Sequence, residues 1–280
     1  MRTRILPKML NQEIEKYLSK NDLIFIPVGT VETHGGLPLD SETVMAEALA
    51  LRFAEETDGL CLERLPYFYA GATAVGCGTV NMGIKAGNAY LMELAHSLLK
   101  QGFRRQVYIS HHGPSMQTIG PMIRDFFQET KVPIAYFDRS LNFRKYGWNV
   151  NSDDDLFDIF AGAYAILGRL EEIPLLVPES RSQKYCSYTM MEKGSDFAKR
   201  LFGMAHWSGA VGYYFDEPYE HVPTLVMHSW EELERHSRRG IEIIEKGLKL
   251  ADMPGIVQSL KKLDFHMNEK VILENPHLTN

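Results

Sequence analysis

A short apolar run, LIFIPVG from Leu23 to Gly29, ends on glycine, the pattern of a parallel strand buried on both faces. SETVMAEALALRFAEET follows, and Val44, Ala48, Leu51 and Ala54 recur at helical spacing, predicting a helix with one apolar face. GLCLERLPYFY reads as a second strand region. AYLMELAHSLLKQG is an amphipathic helix closed by Gly102, and RRQVYISHHG is a strand whose far end runs into histidines. MQTIGPMIRDFFQET is helical in pattern, and VPIAYFD is a further strand. Strand and helix alternating in this rhythm predict an α/β fold: a mostly parallel central sheet with helices on both faces.

The second half is written differently. NVNSDDDLFDIFAGAYAILGRL is an apolar helix behind a serine and aspartate cap, and Asp153 to Asp155 are read as that cap plus solvation. HVPTLVMHSW resembles a late strand, and SWEELERHSRRGIEIIEKGLKLA opens with capping-box spacing before a long helix. The chain after Leu263 is largely polar, so residues 265–280 are expected to form a peripheral tail. No internal repeat, low-complexity stretch or linker interrupts the rest, which predicts one domain over residues 1–280.

Composition narrows the function classes. In 280 residues, 45% are apolar and 24% charged, enough to bury a large core. The formal net charge of -6 leaves no basic surplus to neutralise a polyanion, so nucleic acid is not an expected partner. Arg104-Arg105 and Arg235 to Arg239 are the local basic candidates, and both read as solvated faces. Cys61, Cys77 and Cys186 lie far apart, which suits a reducing compartment rather than a disulfide framework or a cysteine zinc site. The opening MRTRILPKML lacks a long apolar segment and a small-residue cleavage site, and eighteen apolar residues never run together. A cytoplasmic protein without membrane partners is expected.

The candidate chemistry sits at two strand ends. In open α/β sheets, ligands gather outside the carboxyl ends of the strands. The first strand delivers Glu32, His34, Asp40 and Glu42 there; the later one delivers Ser110, His111, His112 and Ser115. Carboxylates and imidazoles together are a ligand set for zinc, manganese or iron, and a carboxylate can bridge two ions. His111 and His112 are adjacent, so strand alternation would turn only one of them to the site.

The order of these segments resembles the creatininase (creatinine amidohydrolase) family, whose signature is a strand followed by P-V-G-S-x-E-Q-H-G-P-H-L-P-L-x-T-D. IPVGTVETHGGLPLDSE matches it with one histidine missing; the signature's last aspartate falls on Glu42 and Asp40 on a variable position. YAGATAVGCGTVNM is similar to the family's Y-G-x-S-x-x-H-x-x-F-P-G-T segment, keeping Gly78 and Thr79. LLKQGFRRQVYISHHGPS is similar to its G-F-R, strand and N-G-H-G-G-N run, with His112 at the ligand histidine and His111 replacing a glycine. MAHWSGAVGYYF is a weaker match to H-A-G-x-x-E-T-S, with His206 on the histidine.

The resemblance implies a three-layer α/β/α fold, usually oligomeric (a homo-oligomer, a hexamer among the options), acting on a small-molecule substrate. It further implies a divalent metal, zinc, manganese or iron, with one or two per subunit. Glu32 and His112 would hold one ion, His34 the other, and Glu42 would bridge them, with Asp40 as the alternative. His206 would be the general acid or base, and Gly78, Thr79, His111, Ser115 and Trp207 would contact substrate. The family's further glutamate on the second metal is matched by Pro114 or Val211, neither of which can coordinate an ion. Asp40, His111 or a residue of the poorly matched half would have to replace it. The expected activity is hydrolysis of a small polar cyclic or amide substrate by a metal-activated water. Two alternatives stay open: water-driven C–C ring opening of a cyclic ketone, as in inositol breakdown, and an inactive relative that binds a small metabolite.

Overall fold

The computed structural model describes residues 1–138, 153–175 and 227–275, with short pieces at 185–186, 196, 200–201, 214–215 and 277. Strands β1 (Leu23–Pro27), β2 (Leu60–Cys61), β3 (Arg105–Ser110) and β4 (Ala135–Asp138) form one sheet in the order β2-β1-β3-β4. Every neighbouring pair in it is parallel, with Ile24 beside Gln106 and Ser110 beside Asp138.

The strands are apolar throughout because both faces of the sheet are covered. Alternation sends Leu23, Phe25, Cys61, Val107 and Ile109 into one core and Ile24, Ile26, Leu60 and Tyr108 into the other. Helices α1 (Asn11–Leu18), α3 (Ile84–Gln101) and α4 (Met116–Thr130) cover the second core. The first is covered by α2 (Ser41–Glu56), α5 (Asp153–Ile166), α6 (Trp230–Ala251) and α7 (Met253–His266). Each fully buried Leu, Ile or Phe contributes about 1.5–3 kcal/mol, so the two cores are the main source of stability. The fold is the expected three-layer α/β/α arrangement.

Two local features differ from the sequence pattern. Helix α2 is not half-exposed: Ser41 to Ala50, Phe53 and Ala54 are all buried, because α5 and α6 close over the side that the sheet leaves open. Its buried Glu47 is answered by Arg64, 2.8 Å away. Strand β2 is two residues long, because Glu63 and Arg64 turn the edge chain away before it returns to pair Leu65 with Val28. The chain after Leu263 begins as helix, with α7 reaching His266 and further helical turns to Glu274; Arg104 Nη2 ties it down at Asp264 Oδ1, 2.8 Å away. Arg105 is likewise paired, with Asp22. A short antiparallel pair, β5 (Tyr185–Cys186) and β6 (Tyr214–Phe215), lies apart from the main sheet.

Helices α5 and α6 cross with their backbones touching. A Cβ on Gly162 would lie 2.6 Å from Gly240 C, and one on Gly240 would run into Asp158 O. Ser229 caps α6 by accepting from Glu232 N at 3.2 Å, while the Glu232 carboxylate reaches back to His228 N at 2.8 Å. Among the described residues, no helix is long and apolar enough to cross a membrane. Of the late strand expected in HVPTLVMHSW, residues 221–226 lie outside the described residues, and 227–230 lead into and open α6 instead of forming strand.

Candidate metal centre

β1 and β3 are neighbours in the middle of the sheet, so their carboxyl ends open side by side. The chain leaving β1 is pressed against the start of α2. Gly29 allows this, since a Cβ there would lie 2.8 Å from Thr43 Cα. The loop is then pinned by Glu32 N to Leu39 O at 2.9 Å, Thr33 N to Thr79 Oγ1 at 3.1 Å, and Val80 N to Val31 O at 2.9 Å. Gly78, at φ 83°, packs under Leu39. Gly78 and Thr79 therefore brace the loop that carries Glu32 and His34. Glu42 comes from the first turn of α2, where a carboxylate is favoured by the helix dipole.

Glu32, His34 and Glu42 each offer one ligand atom, and these atoms lie within 4.8 Å of one another. All three are buried, at 1%, 2% and 7% exposure. His34 stands between the carboxylates, with Nδ1 3.9 Å from Glu32 Oε1 and Nε2 3.4 Å from Glu42 Oε1. From β3, His112 Nδ1 lies 3.0 Å from Glu32 Oε1, and His111 Nε2 lies 3.9 Å from Glu42 Oε2. Both histidines thus face carboxylates, against the expectation from strand alternation. The reason is local: β3 ends at Ser110, and the next residues turn into a 3-10 helix over Gly113–Ser115, so the two-residue period no longer applies.

The surroundings fix these groups. Thr73 Oγ1 donates to Glu32 Oε2, and the other nitrogen of His112, Nε2, lies 2.9 Å from Tyr69 O. Ser110 Oγ accepts from His112 N at 3.2 Å and donates to Ser115 Oγ at 2.9 Å. Ser115 is therefore a buried brace beneath His112. Phe160 of α5 packs edge-on against both His34 and His111, with ring centroids 5.0 and 5.1 Å away. Burial alone would raise the Glu32 carboxyl, but His112, His34 and Thr73 outweigh it and bring it down to about 2. Burial also works against a charged His112, and Glu32 overrides it, raising the ring to about 9. Carboxylate and imidazole hold each other charged.

Asp40 shares the turn but not the cluster. Its Oδ1 accepts from Tyr164 Oη and its Oδ2 from Arg169 Nη2, each at 2.8 Å, and the arginine also stacks over the Tyr164 ring. His206, Trp207 and Val211 lie outside the described residues. Thr73, the Tyr69 carbonyl, Phe160 and the Tyr164–Arg169 pair were not legible as site components in the sequence. Phe160 and Tyr164 read only as core positions of a helix, and a backbone carbonyl leaves no signal at all.

The donor set suits a divalent cation. Glu32 is buried, and its ion-pair partners among the described residues are imidazoles, groups that can lose a proton and coordinate in its place. The second nitrogen of His112 is oriented by a backbone carbonyl, the usual support for a metal-ligating histidine.

Comparison with known proteins agrees with this frame. A 3-dehydro-scyllo-inosose hydrolase of Thermotoga maritima is 32% identical over 129 residues, which is 45% of this chain and 37% of that protein. The match thus spans little more than a third of that relative's length. A crystal structure of creatinine amidohydrolase superposes with a TM-score of 0.59 at 16% identity, over 93% of this chain and 99% of the other. A creatininase in Mn form (TM-score 0.56, 16% identity, 93% and 98% covered) and a mutant creatininase of Zn-Zn type (0.57, 16%, 94% and 98%) share the same fold. A family model described as creatinine amidohydrolase matches residues 7–165, more than half of the chain, and the protein therefore belongs to the creatininase family.

Proposed function

We propose that this protein is a metal-dependent hydrolase of a small polar cyclic or amide substrate. The observation that carries the reading is the meeting of Glu32, His34 and Glu42 within 4.8 Å, all buried at the carboxyl edge of the sheet. Glu32 and His112 on one side, and His34 on the other, would hold one or two zinc, manganese or iron ions, with Glu42 between them. Such an ion supplies Lewis acidity to a substrate carbonyl and makes hydroxide available from water near neutral pH.

The chain's own groups do the rest. Thr73 and the Tyr69 carbonyl fix the Glu32 and His112 orientations, so the acceptor and donor atoms need no rearrangement when substrate arrives. Phe160 keeps one wall of the site apolar and limits water there. His206, placed by the family motif, is proposed to carry the proton from the attacking water to the leaving nitrogen. Water's oxygen joins the carbonyl carbon, the C–N bond breaks, and the proton ends on nitrogen. A cytoplasmic homo-oligomer is proposed as the working form.

A second reading, hydrolytic C–C opening of a polyhydroxy cyclic ketone, is supported by the Thermotoga maritima relative, named for a cyclic keto-inositol substrate. In that case the proton ends on carbon instead of nitrogen. The two are separated by incubating the zinc-, manganese- or iron-loaded protein in 18O-labelled water with creatinine-like cyclic amides and with dehydro-inososes. Labelled ring-opened product from either class supports a hydrolase and selects the reading. No turnover of either class with any of the three metals overturns both.

A further inference from the structure

The loop after β3 places a second imidazole on Glu42 that the metal-ligand assignment above does not use. Glu42 Oε1 has His34 Nε2 at 3.4 Å, and Oε2 has His111 Nε2 at 3.9 Å. Two ligands each held about 2.0–2.2 Å from one ion stand no more than about 4.4 Å apart, and both separations fall inside that reach. The two rings are also presented alike. Each meets the Phe160 ring edge-on, at 75° and 78°, so one phenyl group sets the tilt of both. Both histidines are buried, His34 at 2% exposure and His111 at 7%. His112 belongs to the other side of the cluster, between Glu32 Oε1 and the Tyr69 carbonyl.

We propose that His111 is a metal ligand, completing with His34 and Glu42 a two-imidazole, one-carboxylate site distinct from the Glu32–His112 side of the cluster. The proposal rests on the metal-dependent reading above and deepens it. The further carboxylate that the resemblance implies falls on Pro114 or Val211, neither of which can coordinate an ion, and His111 takes over its place in the coordination sphere. The exchange has a chemical consequence. Replacing a carboxylate by a neutral imidazole leaves the site one negative charge poorer and richer in nitrogen. Nitrogen-rich sites favour zinc, iron or nickel, whereas carboxylate and water suit manganese and magnesium. This protein is therefore expected to hold zinc in preference to manganese at the His34–Glu42–His111 position.

The test measures binding rather than turnover. Metal-free full-length protein is titrated with zinc and with manganese against a competing chelator, and bound metal is counted by mass spectrometry. Removing a group that merely orients a ligand costs about 10–100-fold in metal affinity, so loss of a ligand should exceed that range. His111→Ala is expected to weaken the tightest His34-side zinc by more than 100-fold. His111→Asp is expected to restore binding and to shift the preference from zinc towards manganese. The melting temperature of each metal-free variant, matched to the parent, separates ligand loss from misfolding. If His111→Ala binds zinc as tightly as the parent, or if His111→Asp leaves the zinc-over-manganese preference unchanged, the assignment of His111 is overturned while the metal-dependent reading stands. A parent protein that binds neither metal overturns that reading as well, so the two failures are distinguishable.

Discussion

Asp158 and Glu32 are both buried acids that face imidazoles, and the company they keep differs. Asp158 of α5, fully buried, meets His236 of α6, and Arg239 Nε lies 3.2 Å from its second oxygen. Glu32, equally buried, meets His34 and His112 and a threonine hydroxyl. A guanidinium has no lone pair and never gives up its proton in a protein, so an acid answered by arginine is committed to that pair. An imidazole can release its proton and offer nitrogen to an ion. The first cluster fastens the glycine crossing of α5 and α6; the second is arranged so that a cation can replace protons.

The contrast can be broken at either end, and the effects order themselves by size. The largest is expected from His236→Ala, which takes from the buried Asp158 its imidazole and leaves it, among the described residues, to the half-exposed Arg239. A loss of about 3 kcal/mol in folding stability by denaturant titration is predicted, with zinc bound per folded molecule unchanged. Zinc content falling along with stability would mean the two clusters are one system. Next, Glu42→Gln should lower zinc affinity by more than about 100-fold while the metal-free protein melts as before, since outer partners alone are worth 10–100-fold. Thr73→Val removes one such outer partner of Glu32, and a loss of about 10–100-fold in zinc affinity by chelator competition is expected. The smallest effect is predicted for Asp40→Asn. It weakens a part-buried pair with Arg169 by about 1 kcal/mol in the denaturant midpoint and leaves zinc binding alone. A zinc deficit in Asp40→Asn would restore Asp40 to the ligand set.

How much of this was legible in the sequence depends on the distance over which each feature is encoded. β1, β3 and α4 sit where the local pattern puts them, because their hydrophobic period and their stop signals lie within one segment. Glu32, His34, Glu42 and His112 were legible because strand ends and motif spacing place them at the sheet's edge. The full burial of α2 was not, since it arises from α5 and α6, contributed from more than a hundred residues downstream. Nor was the joint orientation of His111 and His112, which depends on β3 stopping at Ser110. Asp40 was chemically eligible as a ligand, but Arg169 and Tyr164 claim it, and nothing near Asp40 in the chain announces them.

The exits of β1 and β3 are proposed to build one cation centre. Crystals grown with zinc and measured on both sides of its absorption edge test it most directly, because anomalous scattering marks the ion's position without reference to activity. An anomalous peak within the Glu32, His34 and Glu42 group is the predicted result. A map with no peak there at saturating zinc, or with a fully occupied peak elsewhere only, would rule out a cation centre at these strand exits.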